Sequence, residues 1–309
     1  MKTVMKPLRS LCIALSVSLM AGCGEKPDVT GIAAVEAVEK TPEAFHYDAI
    51  PVVPYQMEES SFSYGEKTVY GEVFIPYNGK EVHPAVILCH GIGGHHYDLN
   101  HYAMVLAERG ILTYTFDFCG GSVDSQSSGS MMDMSVLSEA EDLNAVMDHV
   151  LEMDSVDSGS LFLLGQSLGG IASCLEAGKR EKDTAGLILF YPAFNVQDKA
   201  RSLFPDDEKI PDTGIIYDQT VGRRFFLDAL SLNYKTDLES YGGPVLILHG
   251  TEDTTVPIRY SHQAVGVFPD ADLKEIKGAG HGFFEDAQDQ ADRAVVEYLV
   301  QQCPEYFGF

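Results

Sequence analysis

The chain of 309 residues is short of basic side chains. Lys and Arg total 21 against 46 Asp and Glu, which gives a formal net charge of -25 at pH 7. A surface of that sign repels phosphate backbones and anionic lipid headgroups, so it argues against a nucleic-acid partner and against electrostatic docking on a membrane. The acidity instead favours solubility. Tryptophan is absent as well, so any aromatic wall must be built from Phe and Tyr.

Cysteine is also scarce, and its spacing fits no zinc motif. Cys12 falls in an N-terminal segment that we expect to be removed. Cys89 and Cys174 lie in apolar stretches, so we predict buried, unpaired thiols rather than disulfides. No pattern in the chain calls for a metal or another cofactor.

The N-terminal apolar run, from Leu11 to Ala21, is too short to span a bilayer but has the length of a secretory signal. Three basic residues precede it: Lys2, Lys6 and Arg9. The sequence "LMAGC" follows and resembles the bacterial lipobox, in which the cysteine carries the lipid. We therefore predict a lipoprotein signal peptide over residues 1–22 and lipidation of Cys23.

The segment 23–56 is rich in Ala, Glu, Pro and Val without strong periodicity, which is typical of a flexible tether. Together with the lipobox it predicts a protein exported and anchored at the cell envelope by its N-terminal lipid alone. The alternatives are an ordinary secretory signal cut near residues 21–24, or an unprocessed anchor. The folded domain is predicted over 57–309.

Strands and helices alternate along that domain, which is typical of a mostly parallel sheet with helices on both faces. The α/β fold class follows from this order. The clearest helix covers about 135–153, where apolar residues recur on one stripe. The predicted strands are "PAVILC" at 84–89, "ILTYTFDF" at 111–118, "LFLL" at 161–164, "GLILFY" at 186–191, "PVLILHG" at 244–250 and "LKEI" at 273–276.

Ser167 stands between a predicted strand and a predicted helix, with Gly165 and Gly169 on either side. A strand that turns at once into a helix crowds its corner residue, and glycines relieve that crowding. This is the context of the G-x-S-x-G nucleophile elbow, which exposes the serine hydroxyl. A serine that only caps a helix after a glycine turn is the structural alternative.

Two later loops supply partners for such a serine. Asp253 follows the strand that ends in "ILHG", and His281 lies between two glycines after the next strand. Serine, aspartate and histidine in this chain order are typical of α/β-hydrolases. Glu252 is the rival of Asp253 for the carboxylate role, but the pattern H-G-x-x-D-x-x-V-P selects Asp253.

An acyl-transfer site also needs donors for a developing oxyanion. The glycine-rich "CHGIGGHH" directly follows a predicted strand, and we predict the backbone N–H groups of Ile92 and Leu168 as the donors. Four histidines near this loop, at positions 90, 95, 96 and 101, raise the alternative of a metal site. No carboxylate or cysteine completes an ordered ligand set among them, so we predict none.

From about Ser61 onward the sequence resembles α/β-hydrolases of the bacterial feruloyl and cinnamoyl esterase group. The elbow, "HGIGG", "FDFCGGSVDS" and "MSVLSEAEDLNAVMDHV" carry the resemblance in order. It implies Ser167, Asp253 and His281 as the triad and Ile92 and Leu168 as oxyanion donors. The loop "FDFCGGSVDS" departs from the more usual G-H-G-x-S of the group. The resemblance therefore does not predict the shape of the acyl side of the pocket.

About fifty residues between Tyr191 and Pro244 exceed what a minimal connection needs, and we predict a cap insertion over about 193–243. Its aromatic residues would either wall the active site or form a small core of their own. The predicted wall consists of Phe194, Phe204, Tyr217, Phe225, Phe226 and Tyr234.

The sequence therefore predicts a serine carboxylesterase that acts on a small-molecule ester through an acyl-enzyme, with hydroxycinnamoyl esters as a candidate substrate. One alternative is a peptidase of the prolyl-oligopeptidase type, which normally adds a propeller or a long N-terminal domain. A lipid-anchored binding protein on an inactive hydrolase fold is the other. The sequence does not determine the oligomeric state.

Overall fold

The computed structural model describes residues 47–307. The predicted signal peptide, the predicted lipidation site at Cys23 and the tether up to residue 46 lie outside the described residues. Within 47–307, no helix combines the length and the apolar character needed to cross a membrane.

A sheet of eight strands runs through the domain, and two small hairpins stand apart from it. The strands are β1 Tyr55–Glu59, β2 Phe62–Tyr64, β3 Lys67–Val69, β4 Gly71–Pro76, β5 His83–Cys89, β6 Leu112–Phe116, β7 Val156–Gln166, β8 Gly186–Phe190, β9 Thr213–Ile216, β10 Gln219–Gly222, β11 Val245–Gly250 and β12 Ala271–Ile276. The order in the sheet is β1-β4-β6-β5-β7-β8-β11-β12, and the hairpins are β2-β3 and β9-β10. The strands β5 to β8, β11 and β12 pair in parallel, and β1 and β4 add an antiparallel edge.

Helices cover both faces of this sheet. The helices are α1 Asn100–Ala107, α2 Val136–Leu151, α3 Leu168–Lys179, α4 Val196–Leu203, α5 Arg223–Ser231, α6 Tyr234–Glu239, α7 Arg259–Val265 and α8 Asp286–Gln302. Side chains of α1 and α8 share one core with the sheet, and those of α2, α3 and α7 share the other. The predicted α/β class, with a mostly parallel sheet between helical layers, is confirmed.

The strand β5 shows why its sequence is apolar throughout. Its side chains alternate between the two cores: Ile87 packs among the residues beneath α2 and α3, and Val86 and Leu88 pack beneath α1 and α8. A parallel strand buried on both faces has no solvent side on which polar residues would alternate. The seven residues of β5 are all buried.

The folded part begins before the predicted boundary at residue 57. A short 3-10 helix covers Tyr47–Ala49, and Ile50 is only 4% exposed beside the second core. The strand β1 begins at Tyr55, which pairs with Pro76 of β4 and packs its ring against Phe74. Residues 47–56 therefore belong to the domain, because an edge strand and its aromatic contact fix them against the sheet.

The insertion between β8 and β11 carries α4, the β9-β10 hairpin, α5 and α6. Phe225 and Phe226 are fully buried there, and the Phe226 ring lies 4.8 Å from that of Phe204 in an edge-to-face contact. These rings join the same core as α2 and α3. Most of the predicted aromatic wall is therefore core, and the insertion packs as part of the domain.

The cysteines of the described region are buried and free. They are Cys89, Cys119, Cys174 and Cys303. Burial raises the pKa of Cys89 to about 12, so this thiol is held protonated and unreactive.

Candidate active site

Ser167 lies at the corner between β7 and α3, with φ 52° and ψ -115°. A non-glycine residue in this region of backbone conformation is strained, at a cost of about 1–3 kcal/mol. The strain is held in place because the Ser167 N–H donates to Phe190 O at 3.0 Å, which ties the corner to the end of β8. The hydroxyl consequently stands clear of the helix that begins at Leu168.

The two flanking glycines are required by close contacts. A Cβ on Gly165 would lie 2.6 Å from Gly169 O, and one on Gly169 would lie 2.3 Å from His90 O. Neither site has room for a side chain, since real Cβ atoms do not approach backbone oxygen so closely. The pattern G-Q-S-L-G thus encodes tight packing between β7, α3 and the end of β5.

The structure brings Ser167, His281 and Asp253 into one hydrogen-bonded chain. His281 Nε2 lies 2.9 Å from Ser167 Oγ, and His281 Nδ1 lies 2.7 Å from Asp253 Oδ2. Because an ionised carboxylate can only accept, the proton of the imidazole sits on Nδ1 and donates to Asp253. Nε2 is then left as the acceptor for the serine hydroxyl.

The Asp253 carboxylate is fully buried and surrounded by donors. Its Oδ1 accepts the N–H groups of Thr255 at 2.8 Å and Val256 at 2.9 Å. Burial alone would raise the pKa of Asp253, but contacts from His249 and His281 and the Val256 N–H hold it well below its usual range. Asp253 is therefore ionised, whereas its neighbour Glu252 is exposed to solvent.

Aromatic rings support the imidazole of His281 from behind. The Tyr191 ring centre lies 4.7 Å from that of His281, and Phe283 packs edge-on against Tyr191 at 4.8 Å. Glycines on both sides of the histidine form an isolated bridge with each other. The loop is thus narrow enough to approach Ser167 and firm enough to hold the ring.

The two predicted oxyanion donors lie beside the serine. Among the described residues, neither Ile92 N–H nor Leu168 N–H has a hydrogen-bond acceptor. Gly91 passes so close that a Cβ on it would lie 3.1 Å from Ser167 Cβ. Both N–H groups are therefore free to bind an oxygen atom at this corner.

His90, one of the four histidines of the metal alternative, braces the loop that carries Ile92. It is buried, its Nε2 accepts the Phe118 N–H at 3.0 Å, and its Nδ1 donates to Gly91 O at 2.7 Å. Burial lowers the pKa of His90, which fits this neutral state. Gly93 N–H also donates to Gly121 O at 2.8 Å. The unusual "FDFCGGSVDS" loop thus anchors the oxyanion turn.

The other three histidines of the metal alternative point to separate partners. His95 Nε2 lies 3.1 Å from Ser122 Oγ, His96 Nδ1 lies 2.8 Å from Asp117, and His101 Nε2 lies 2.9 Å from Asp292. Within residues 47–307, no three His, Cys, Asp or Glu side chains are grouped so as to hold a metal ion.

A cleft of about 590 Å³ opens over Ser167 and His281. Its other walls come from the oxyanion loop, from the turn after Asp253 and from the insertion. Of the six aromatic residues predicted to form a wall, only Tyr217 lines it. The insertion contributes Lys199, Leu203, Ile215, Ile216, Tyr217 and Asp218 to the lining.

Family models match two parts of the chain. A family model described as "Serine aminopeptidase, S33" matches residues 80–210, which include Ile92, Ser167 and Leu168. A second model, "TAP-like protein", matches residues 232–304, which include Asp253 and His281.

Solved structures share the fold. Est1E from Butyrivibrio proteoclasticus with ferulic acid bound is 24% identical, with a TM-score of 0.73 over 79% of this chain and 99% of that one. A monoacylglycerol lipase from Paleococcus ferrophilus is 21% identical (TM-score 0.58, 76% and 99% covered). An esterase from Exiguobacterium antarcticum is 18% identical (TM-score 0.58, 75% and 96% covered). Sheet order and these structures show that the chain has the α/β-hydrolase fold, and hydrolase family models match two parts of it.

Proposed function

We propose that the chain is a serine hydrolase that cleaves carboxylic esters through an acyl-enzyme on Ser167. The observation that carries the proposal is the chain of two hydrogen bonds, from Ser167 to His281 and from His281 to the buried carboxylate of Asp253. This is the geometry required of a nucleophile, its general base and the group that orients the base.

Acylation follows from that geometry. Ser167 Oγ attacks the ester carbonyl carbon while its proton moves to His281 Nε2, and the carbonyl electron pair moves onto oxygen. The N–H groups of Ile92 and Leu168 donate to this oxyanion, each contributing about 3 kcal/mol of transition-state stabilisation. The imidazolium then protonates the alkoxide as the carbon–oxygen bond to the alcohol breaks. Asp253 stabilises the imidazolium throughout.

Deacylation repeats the same steps with water. His281 Nε2 takes a proton from a water molecule, whose oxygen attacks the acyl carbon, and the N–H donors again hold the oxyanion. The bond to Ser167 Oγ breaks, and His281 returns the proton to the serine. The free carboxylic acid leaves, and the described residues need no cofactor for any step.

Aryl carboxylic esters of the hydroxycinnamoyl type are the substrates that we propose. The cleft combines one aromatic ring, Tyr217, with the aliphatic residues Leu203 and Ile215. A planar aryl acyl group stacks on such a ring, whereas a long flexible chain loses more entropy on binding. Est1E, whose fold this chain shares at 24% identity, binds ferulic acid, and this supports the same class of substrate.

A peptidase is the second candidate, favoured by two features. The family model over residues 80–210 is described as a serine aminopeptidase. Two carboxylates, Asp98 and Asp218, line the cleft and could pair with the α-ammonium group of a peptide. Turnover of aminoacyl p-nitroanilides above that of aryl esters would favour this candidate.

The test is hydrolysis of p-nitrophenyl acetate and methyl ferulate by the purified protein and by Ser167→Ala. We expect the variant to lose at least about 10⁴-fold in kcat with an unchanged circular-dichroism spectrum, because only the oxyanion donors and the cleft remain. Retention of a tenth of the activity would show that the hydrolysis does not pass through Ser167.

A further inference from the structure

His249 is a polar residue in the otherwise apolar strand β11, and it is fully buried. It approaches the same carboxylate oxygen of Asp253, Oδ2, that His281 contacts. Its Nε2 is 3.2 Å from Asp253 Oδ2 and 2.8 Å from Val256 O. Burial of an imidazole costs free energy unless both of its nitrogens have hydrogen-bond partners.

The partners of His249 fix its tautomer. A carbonyl oxygen can only accept, so Nε2 carries the proton and donates it to Val256 O, while Asp253 Oδ2 lies nearby at 3.2 Å. The other nitrogen, Nδ1, lies 2.7 Å from Ser261 Oγ and accepts a hydrogen bond from the hydroxyl of that buried serine. Both nitrogens are satisfied in the neutral ring, and its N–H dipole is directed at the turn that carries Asp253.

That turn has two ends, and His249 contacts both. Asp253 Oδ1 accepts the Val256 N–H at 2.9 Å, so the carboxylate already grips the far end of the turn. The Val256 carbonyl is in turn bound by His249. The contacts of His249 with Val256 and Asp253 therefore restrict rotation of the Asp253 carboxylate. That rotation decides where Oδ2 meets His281.

We infer that His249 is a positioning residue that holds the Asp253 carboxylate in line with His281. Among the described residues it does not line the cleft or contact Ser167, so it acts through Asp253. This role rests on the proposed function of the site, but it concerns a residue that the chemistry itself does not use.

The test compares three substitutions of His249. Phe retains a ring without nitrogens, Gln places an amide N–H at about the position of Nε2, and Asn reaches only the position of Nδ1 and so can keep Ser261 alone. We expect His249→Phe and His249→Asn to lower kcat for p-nitrophenyl acetate about tenfold with KM nearly unchanged, less than the roughly hundredfold that a displacement of 1 Å can cost. His249→Gln should stay within about threefold of the wild type.

His83→Phe is the matched control. His83 is also buried on a strand of the sheet, at the start of β5, and its Nδ1 has no partner among the described residues. Parallel strands carry the site at their other ends, so this change should lower the melting temperature without changing kcat. It measures what the loss of a buried imidazole does to the fold alone.

A double-mutant cycle separates positioning from stability. In the Asp253→Asn background the orienting carboxylate is gone, so His249→Phe should cost less than about twofold more, because coupled residues are not additive. A general structural loss would multiply with the effect of Asp253→Asn. If His249→Phe does not fold, the contrast between the Gln and Asn variants carries the test.

Labelling of Ser167 by a fluorophosphonate gives a readout independent of ester turnover. The serine oxygen displaces fluoride from phosphorus, and the rate reports activation by His281. We expect the rate to fall about tenfold in His249→Phe and to recover in His249→Gln. Full rates in His249→Phe, or equal losses in the Gln and Phe variants, would overturn the inference. Normal labelling without ester hydrolysis would instead refute only the proposed ester substrate.

Discussion

The Tyr217 hydroxyl donates a hydrogen bond to Asn195 Oδ1 at 2.7 Å, and Asn195 Nδ2 donates to Thr255 O at 2.9 Å. Tyr217 lies in the two-residue turn between β9 and β10, and Thr255 lies two residues after Asp253. The tip of the insertion is therefore attached to the loop that carries the orienting carboxylate. The buried side-chain amide of Asn195 thus connects the cleft wall at Tyr217 to the loop of Asp253.

The backbone at this tip is strained. Tyr217 and Asp218 have φ values of 49° and 61°, in a region that bulky side chains seldom adopt. The Lys199 ammonium lies 4.2 Å from the centre of the Tyr217 ring, and this contact and the Asn195 bond offset the strain. The ring is thus a fixed wall.

Replacing Tyr217 by Ala should reduce the preference for aryl acyl groups. With p-nitrophenyl cinnamate and p-nitrophenyl octanoate, which share a leaving group, we expect the ratio of kcat/KM values to fall about five- to tenfold, the equivalent of one aromatic contact. Tyr77→Ala, at an exposed site outside the cleft lining, should leave the ratio unchanged. An unchanged ratio in Tyr217→Ala would mean that this ring does not set the preference.

Adjacent carboxylates offer a matched pair of variants. Asp253→Asn should lower kcat by about 10⁴-fold, since an amide no longer stabilises the imidazolium and favours the wrong tautomer of His281. Glu252→Gln should change kcat less than about twofold, because its side chain is exposed. Steady-state kinetics on p-nitrophenyl acetate measure both. The reverse order would move the orienting role to Glu252.

Glu139 of α2 is fully buried, and among the described residues neither of its carboxyl oxygens has a hydrogen-bond partner. Burial, aided by the nearby Asp142, raises its pKa well above the usual range. In the unfolded chain the group titrates near its ordinary value of about 4.3. Below that pH both states are protonated, and as pH rises toward the folded pKa the unfolded state ionises first and stability is lost.

Glu139→Gln should therefore remove a pH-dependent loss of stability. We expect the variant and the wild type to differ little in free energy of unfolding near pH 4, and the variant to be the more stable near pH 8. Urea titrations at the two pH values measure this difference. Glu141→Gln, at an exposed site of the same helix, is the control. A wild type that gains on the variant between pH 4 and pH 8 would show that Glu139 is ionised in the fold.

Attachment to the cell envelope is a proposal that depends on Cys23. Cys23→Ser removes the thiol that would carry the lipid, so the protein should leave the membrane fraction or remain unprocessed. Cys12→Ser, inside the predicted signal peptide, should keep the wild-type distribution. Mass spectrometry of the mature N-terminus reads the modification directly, and an unmodified Cys23 in the wild type would refute the proposal.

Much of the candidate site was predictable because its chemistry is local in sequence. The corner at Ser167 needs glycines on both sides, and the loops that follow β11 and β12 are short. In a parallel sheet the carboxyl ends of neighbouring strands meet at one edge, so strand order alone predicts that Asp253 and His281 approach Ser167. The prediction of Asp253 over Glu252 came from the spacing of one motif.

Other features depended on contacts between distant segments. The pattern H-G-x-x-D contains His249, but only the fold reveals that its ring faces Asp253. The same holds for His90, whose partner Phe118 lies in the loop after β6. The only sign of a role for His249 in the sequence was its place as the one polar residue of the apolar segment "VLILHG".

The sequence by itself determined the α/β class and the identity of the hydrogen-bonded serine, histidine and aspartate, because hydrophobic periodicity and tight turns are properties of neighbouring residues. The tertiary structure decided where the domain begins, which aromatic side chains are core and which single one, Tyr217, faces the cleft. The physical reason is that burial is shared between segments far apart in the chain. Phe226 and Tyr217 are both aromatic residues of the insertion, and the sequence does not distinguish their roles. Only the packing of the insertion against α2 and α3 places Phe226 in the core and Tyr217 at the cleft.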